Sequence, residues 1–134
     1  MAKFLEPFLY RLHITNRTPF DLAVLSRQLS YGIWQTGGVD GDGPVGIPAG
    51  ATVEALAIRA AADPRKGYEF RCTWGTDATD PSSRLTLSVS APFTSGRNRA
   101  GLDVSGQVKV QGWTGISAIG HRFEHSLTVS PIPW

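Results

Sequence analysis

Two histidines and a glutamate lie close together in the segment His121-Arg122-Phe123-Glu124-His125. In a metalloprotease helix, the motif His-Glu-x-x-His sets two histidines one turn apart to hold zinc, and the glutamate acts as the base. Here Glu124 directly precedes the second histidine, and apolar and polar residues alternate, which predicts a strand instead of a helix. Because the pattern supplies no third ligand, we expect no metal centre and interpret His125 as a half-buried strand residue.

Cys72 is the only cysteine, which excludes an internal disulfide and a zinc site built on several cysteines. It alternates with Tyr68, Phe70 and Trp74, and on such an apolar face a cysteine behaves as a small apolar side chain. A nucleophilic cysteine would need an accessible, electropositive setting. The sequence also has no Gly-x-Ser-x-Gly elbow, Gly-Lys-Ser/Thr phosphate loop or recognisable carboxylate pair. We therefore expect neither enzymatic activity nor a cofactor.

The glycine-rich segment 37–44 contains two carboxylates, Asp40 and Asp42, which raises the question of a calcium loop. An EF-hand needs more oxygen ligands and a glutamate at its twelfth position, and the segment has neither. Residues 41–46 also match the Gly-x-Gly-x-x-Gly string of dinucleotide-binding folds. That motif must open a helix, whereas Ile47-Pro48 follows here. We interpret the segment as a flexible acidic loop.

Aromatic side chains beside polar or glycine-rich segments indicate a function more clearly than the motifs above. An amphipathic ring suits the interfacial zone of a bilayer, where one end of the ring is apolar and the other is hydrated. A nearby arginine can form charge-assisted hydrogen bonds to a lipid phosphate. The alternative is that these rings close the ends of the fold. The candidate membrane-binding residues are Tyr31, Trp34, Phe93, Arg97, Arg99 and Trp113.

Alternation of apolar and polar residues dominates the chain and predicts short strands with one buried face. Turn signals recur at roughly ten-residue intervals, which is typical of an antiparallel β-sandwich or barrel. We expect a hairpin at Asn16-Arg17-Thr18-Pro19 and an exposed loop over 94–103. The clearest strand patterns cover 8–14, 20–24, 68–74, 85–89 and 122–129, and weaker ones cover 52–58 and 106–113.

Length and charge narrow the class of protein further. The 134 residues fit a single domain spanning 1–134. Basic and acidic residues number 13 and 11 and are dispersed along the chain, so we expect no nucleic-acid partner. No apolar stretch approaches the ~20 residues of a membrane helix. Glu6 and Pro7 interrupt the apolar start of the chain, which argues against a secretory signal and predicts synthesis in a reducing cytoplasm.

Several short motifs, each present once, follow one another over roughly residues 10–130. They are Tyr10-Arg11-Leu12-His13-Ile14-Thr15-Asn16-Arg17-Thr18, Gly32-Ile33-Trp34, Gly67-Tyr68-Glu69-Phe70, Ala91-Pro92-Phe93 with Gly96-Arg97-Asn98, and a closing strand over 126–130. In order and spacing this set resembles the aegerolysin family, and most of all the small component of bacterial binary insecticidal toxins. Ala91 departs from the family pattern, in which asparagine is usual at this position.

The resemblance implies an all-β protein with an aegerolysin/actinoporin-like sandwich. It also implies docking on a lipid or receptor of a target-cell membrane and permeabilisation completed by a larger partner, often of the membrane-attack-complex/perforin type. Family members commonly lack a signal sequence, so the resemblance predicts synthesis in the bacterial cytoplasm and action outside after release. The lipid, the target organism and the oligomeric state are left open.

A carbohydrate-binding module of the lectin kind is the main alternative. Lectin sandwiches also present tryptophan and acidic side chains on loops, and here Trp34 with Asp40 and Asp42 would form the site. Inhibition of binding by free sugars would distinguish this function from membrane binding.

Overall fold

Strands account for nearly all the regular structure in the computed structural model, which describes residues 9–60, 67–76, 83–92, 97–117 and 122–132. The strands are β1 (Leu9–Asn16), β2 (Ala23–Tyr31), β3 (Ile33–Trp34), β4 (Thr52–Arg59), β5 (Tyr68–Gly75), β6 (Arg84–Ala91), β7 (Arg99–Ser105), β8 (Val108–Gln111) and β9 (Arg122–Pro131), with one 3-10 turn at Thr36–Gly38. Within the described ranges, no helix has the length and apolar character needed to cross a membrane.

The strands form two sheets, ordered β3-β4-β1-β9-β8 and β2-β5-β6-β7, which share one core. This confirms the predicted β-sandwich. Neighbouring strands in the described sheets are antiparallel except for β1 and β9, which run parallel with Leu9 opposite Arg122. A parallel pair requires a long connection, and here the rest of the fold lies between the two strands in the chain.

The core is built from alternate residues of both sheets, as the period of two predicts. Cys72 is fully buried among them, and the indole N–H of Trp74 donates to the carbonyl of Val45 at 2.9 Å, so this buried polar group is paired. Burial of each large apolar side chain contributes about 1.5–3 kcal/mol, which makes the sandwich a firm support for residues that point outward. The largest fully buried side chains include Tyr10, Leu12, Ile14, Leu56, Ile58, Tyr68, Trp74, Leu85, Leu87 and Leu127.

The predicted hairpin at residues 16–19 is wrong, because β1 and β2 belong to different sheets. The turn is an arch held by the buried side chain of Asn16. Its Nδ2 donates to the carbonyls of Phe20 and Ile47, at 2.7 and 3.0 Å. Its Oδ1 accepts from the backbone N–H and the hydroxyl of Thr18. A side chain that supplies these partners replaces the hydrogen bonds of a hairpin and lets the chain cross between sheets.

The predicted loop over 94–103 is wrong for residues 99–103, since β7 begins at Arg99 and pairs with β6. Residues 94–96 of that prediction lie outside the described residues. Strand β7 lies at the edge of the four-stranded sheet, and only Ala100 and Leu102 in it are partly covered by the core. β2, at the other edge, is likewise mostly exposed. It begins at Ala23 and continues to Tyr31, so only the last two residues of the predicted segment 20–24 belong to it. Edge strands with so little burial leave a weak alternation in the sequence.

Candidate functional site

The pairing of four strands brings Tyr31 and Arg99 into one row across the sheet. Tyr31 is opposite Glu69, Glu69 is opposite Ser90, and Ser90 is opposite Arg99. Phe70, next to Glu69, is buried, so alternation directs Glu69 to the outer face. We call these four residues the Tyr31 row. The row crosses the end of the sheet where β2 ends and β5 begins, and we call this end of the sandwich the Tyr31 end.

Hydrogen bonds hold the carboxylate at the middle of the Tyr31 row. Oε1 of Glu69 accepts from the hydroxyl of Ser90 at 2.9 Å and from the hydroxyl of Tyr31 at 3.4 Å. Partial burial, together with the charge of Glu69, raises the pKa of Tyr31. The phenol therefore keeps its proton at neutral pH and presents a neutral, amphipathic ring at the edge of the sheet.

Trp34 lies at the same end, immediately after the tight connection between β2 and β3. Gly32 makes this connection with φ of 116°, and a Cβ there would lie 2.9 Å from Cβ of Tyr68, so only glycine fits without strain. The indole of Trp34 is half-buried and meets the ring of Phe70 edge-on, with centroids 5.6 Å apart. Trp34 therefore joins the core to the Tyr31 end.

The other candidate residues are distributed differently. Arg97 is exposed and lies two residues before Arg99, so it belongs to the Tyr31 end. Phe93 lies outside the described residues. Trp113 lies in the segment after β8, where its indole packs on the imidazole of His125 of the other sheet with centroids 4.6 Å apart. The fold thus brings Tyr31, Trp34, Arg97 and Arg99 to one end and places Trp113 apart from the Tyr31 row.

His125 is more buried than the sequence predicted, with 5% of its surface exposed. Its Nε2 lies 2.8 Å from the carbonyl of Gly115, and its Nδ1 lies 2.8 Å from the hydroxyl of Tyr10. This histidine therefore attaches the segment after β8 to the sheet. No group of three or more His, Cys, Asp and Glu side chains within the described ranges could hold a metal ion.

A shallow groove of about 370 Å³ runs along the outer face of the four-stranded sheet beside the Tyr31 row. A second row of paired residues, Gln28, Arg71, Ser88 and Gly101, forms its centre. Seven of its eleven lining residues are polar or charged, and the apolar ones are small or buried at its base. The lining comprises Gln28, Ser30, Glu69, Phe70, Arg71, Ser88, Val89, Ser90, Arg99, Ala100 and Gly101.

Two guanidinium groups give this groove a positive character. Arg71 and Arg99 are both exposed, and neither forms a hydrogen bond or an ion pair with another residue in the described part of the chain. Glu69 is the only carboxylate among the lining residues. The groove therefore combines two free cationic groups with one anchored carboxylate.

In the alternative sugar site, Asp40 and Trp34 already contact other residues of the protein. The carboxylate of Asp40 accepts from Nη2 and Nε of Arg59, at 2.6 and 3.1 Å, and from Nε2 of Gln35. The Arg59 hydrogen bond holds the pKa of Asp40 below its ordinary value. These contacts attach the acidic loop to the sandwich, and Trp34 faces Phe70. Both carboxylates are exposed, but only Asp42 lacks an ion-pair partner within the described residues.

The sequence prediction missed Glu69, Arg71 and the serines of β6. The signal was present in the strand over 68–74, where Glu69 and Arg71 alternate with buried residues. Two charged residues on the outer side of the clearest strand indicate a polar face. Only the pairing of β6 with both β5 and β7 shows that Arg99 lies on the same face.

No protein-family model matches the chain, and no curated protein sequence matches it. Among solved structures, the chain is similar to RahU, crystallised in complex with a Tris molecule, with a TM-score of 0.66 and 12% identity over 94% of this chain and 96% of RahU. It is also similar to the lipid-binding protein Nakanori, with a TM-score of 0.62 and 12% identity over 92% of this chain and 71% of that one. The fold is aegerolysin-like. The resemblance seen in the sequence motifs is therefore supported at the level of the fold.

Proposed function

We propose that this protein binds lipid membranes through the Tyr31 end of its sandwich. The observation that carries the proposal is the strand pairing that sets Tyr31 and Arg99 in one row, with Trp34 beside it and exposed Arg97 just before β7. Aromatic rings and guanidinium groups are thereby concentrated at one end of a rigid domain.

The chemistry of this end suits the boundary between lipid head groups and acyl chains. A tyrosine ring is apolar with a hydrated hydroxyl, which favours that zone. Arg97 and Arg99 would donate charge-assisted hydrogen bonds to lipid phosphates. Several such contacts together give stable attachment, since interfacial binding increases with the apolar area buried and with electrostatic attraction.

The aegerolysin-like fold supports this function, because one protein with a similar structure is described as lipid-binding. From the sequence resemblance, we extend the proposal to the small component of a binary insecticidal toxin. This component would be made in the bacterial cytoplasm, dock on a target-cell lipid or receptor after release, and have no enzymatic role. A larger partner, for example of the membrane-attack-complex/perforin type, would then permeabilise the membrane.

Sedimentation with lipid vesicles tests the membrane proposal. The vesicles would be made from insect midgut lipid extract and from phosphatidylcholine with and without sphingolipid, each loaded with a dye. We expect the protein to sediment with at least one of these and to release little dye alone. Tyr31→Ala should weaken binding about fivefold, which corresponds to about 1 kcal/mol.

Phe20→Ala is the matched control, because Phe20 is a 50% exposed aromatic residue in the arch at the opposite end. It should leave vesicle binding unchanged. Loss of binding in Phe20→Ala with normal binding in Tyr31→Ala would move the docking surface to the other end. Absence of binding to every vesicle would overturn the membrane proposal, and efficient dye release by the protein alone would overturn the need for a partner.

A further inference from the structure

The groove beside the Tyr31 row has the size of a small-molecule site. Its volume of about 370 Å³ lies within the ~300–1,000 Å³ typical of ligand pockets. The β7 side of the groove is lined by the small residues Ala100 and Gly101, and a Cβ at Gly101 would meet no atom within 4 Å. The groove is therefore open above the serines of β6.

Arg71 and Arg99 are placed to hold one anionic group between them. They lie on β5 and β7, with β6 between, and in neighbouring rows two residues apart along the strands, so their backbones are roughly 12 Å apart. The intervening residues, Ser88 and Ser90, are short and leave room for both guanidinium groups to turn toward each other. A guanidinium presents a planar pair of donors that matches the oxygens of a carboxylate or sulfate.

The remaining lining groups suit hydroxyls. Oε1 of Glu69 is used by Ser90 and Tyr31, whereas Oε2 accepts no hydrogen bond from any residue that the structure describes. The side chains of Gln28 and Ser88 also line the groove and form no hydrogen bond within the described residues. These free donors and acceptors surround one anion site, and they could form hydrogen bonds with the hydroxyl groups of a sugar ring.

We propose that this groove is a second binding site, for an anionic saccharide whose carboxylate or sulfate is held by Arg71 and Arg99 and whose hydroxyls contact Glu69, Gln28 and Ser88. A lipid head group fits less well, because insertion needs apolar side chains around the site. The large apolar lining residues, Phe70 and Val89, are buried at the base of the groove. Together with the proposed membrane binding by the Tyr31 end, this site would let the protein bind a glycan at the membrane surface.

Titration calorimetry of the full chain tests the proposal with 3′-sialyllactose, a sulfated heparin disaccharide, uncharged lactose and phosphoethanolamine. We expect at least one charged saccharide to bind about tenfold more tightly than lactose or phosphoethanolamine, as charge-assisted hydrogen bonds predict. Arg71→Gln should weaken binding by a similar factor. Arg122→Gln, the same change at an exposed position on the other sheet, should leave it unchanged.

Gly101→Leu provides a test without a change of charge, because the added side chain would occupy the groove. It should abolish saccharide binding and keep the melting temperature. Failure of both charged saccharides to bind overturns this inference. So does preferential binding of phosphoethanolamine, which would make the groove a head-group site. Neither result overturns the membrane proposal, whose test is vesicle binding by the wild type and by Tyr31→Ala.

Discussion

The hydroxyl of Tyr10 lies 2.8 Å from Nδ1 of His125, and this contact joins the first and last strands of the sandwich inside the core. On the other side of the imidazole, Nε2 faces the carbonyl of Gly115 at 2.8 Å. A carbonyl only accepts, so Nε2 carries the proton and, in the neutral ring, Nδ1 accepts from Tyr10. Burial raises the pKa of Tyr10, which keeps the phenol protonated as the donor.

Removal of this donor should destabilise the fold without changing it. Tyr10→Phe leaves Nδ1 of His125 buried without its partner, and such a loss costs about 1–3 kcal/mol. Urea unfolding followed by circular dichroism measures the difference. Tyr31→Phe is the control, because its hydroxyl is partly exposed and makes only a 3.4 Å contact. Equal stability of Tyr10→Phe and wild type would show that the hydrogen bond adds nothing.

Cys72 should be chemically inert in the native protein. Burial raises the pKa of its thiol to about 12, and only the thiolate reacts with thiol reagents. At pH 8 an aromatic disulfide reagent should therefore modify the unfolded chain in urea and leave the native chain unmodified for hours. Rapid modification of the native protein would mean that the strand face around Cys72 opens readily.

Alternation predicted the strands that bury a full face, and it failed at the edges of the four-stranded sheet. β5 shows the period clearly because Phe70, Cys72 and Trp74 all enter the core. β7 gave a loop prediction because only its alternate residues Ala100 and Leu102 touch the core, and then partially. The arch after β1 was mistaken for a hairpin because the turn signal is the same, and only the buried partners of Asn16 direct the chain to the other sheet.

The sequence was sufficient to predict which residue types form the candidate site, but not how these residues are arranged in space. Tyr31 and Arg99 were candidates from their position beside polar segments, but 68 positions along the chain separate them. Their alignment depends on three strand pairings that no local pattern encodes. Trp113 was also a candidate, because a tryptophan between glycines suggested an exposed ring. In the structure its indole packs on His125 instead.

The ion pair between Asp40 and Arg59 predicts a pH-dependent contribution to stability. The Arg59 hydrogen bond lowers the pKa of Asp40 in the folded state, so the folded state favours the ionised carboxylate. The stabilisation is present above the ordinary aspartate pKa of about 3.9 and is lost as the pH falls through the lower folded pKa. Asp40→Asn should therefore melt below wild type at pH 7, with the difference shrinking below about pH 4.

Two controls make this prediction specific to the ion pair. Asp42→Asn changes an exposed carboxylate of the same loop that lacks an ion-pair partner within the described residues, so its melting temperature should follow that of wild type. High salt should reduce the effect of Asp40→Asn at pH 7 because exposed charges are screened. A melting difference that stays constant from pH 7 to pH 3 would contradict the assignment.

The edge-on contact between Trp34 and Phe70 should couple the Tyr31 end to the core. Phe70→Ala should cost about 3–5 kcal/mol, as truncation of a buried ring does, and Trp34→Ala should cost less because its indole is only half-buried. The milder substitutions Phe70→Leu and Trp34→Leu allow a double-mutant cycle in urea. We expect a coupling energy of about 0.5–1.5 kcal/mol, the usual value for such aromatic pairs. Additivity within about 0.3 kcal/mol would show that the two rings do not interact, and weaker vesicle binding by Trp34→Leu would then reflect membrane contact alone.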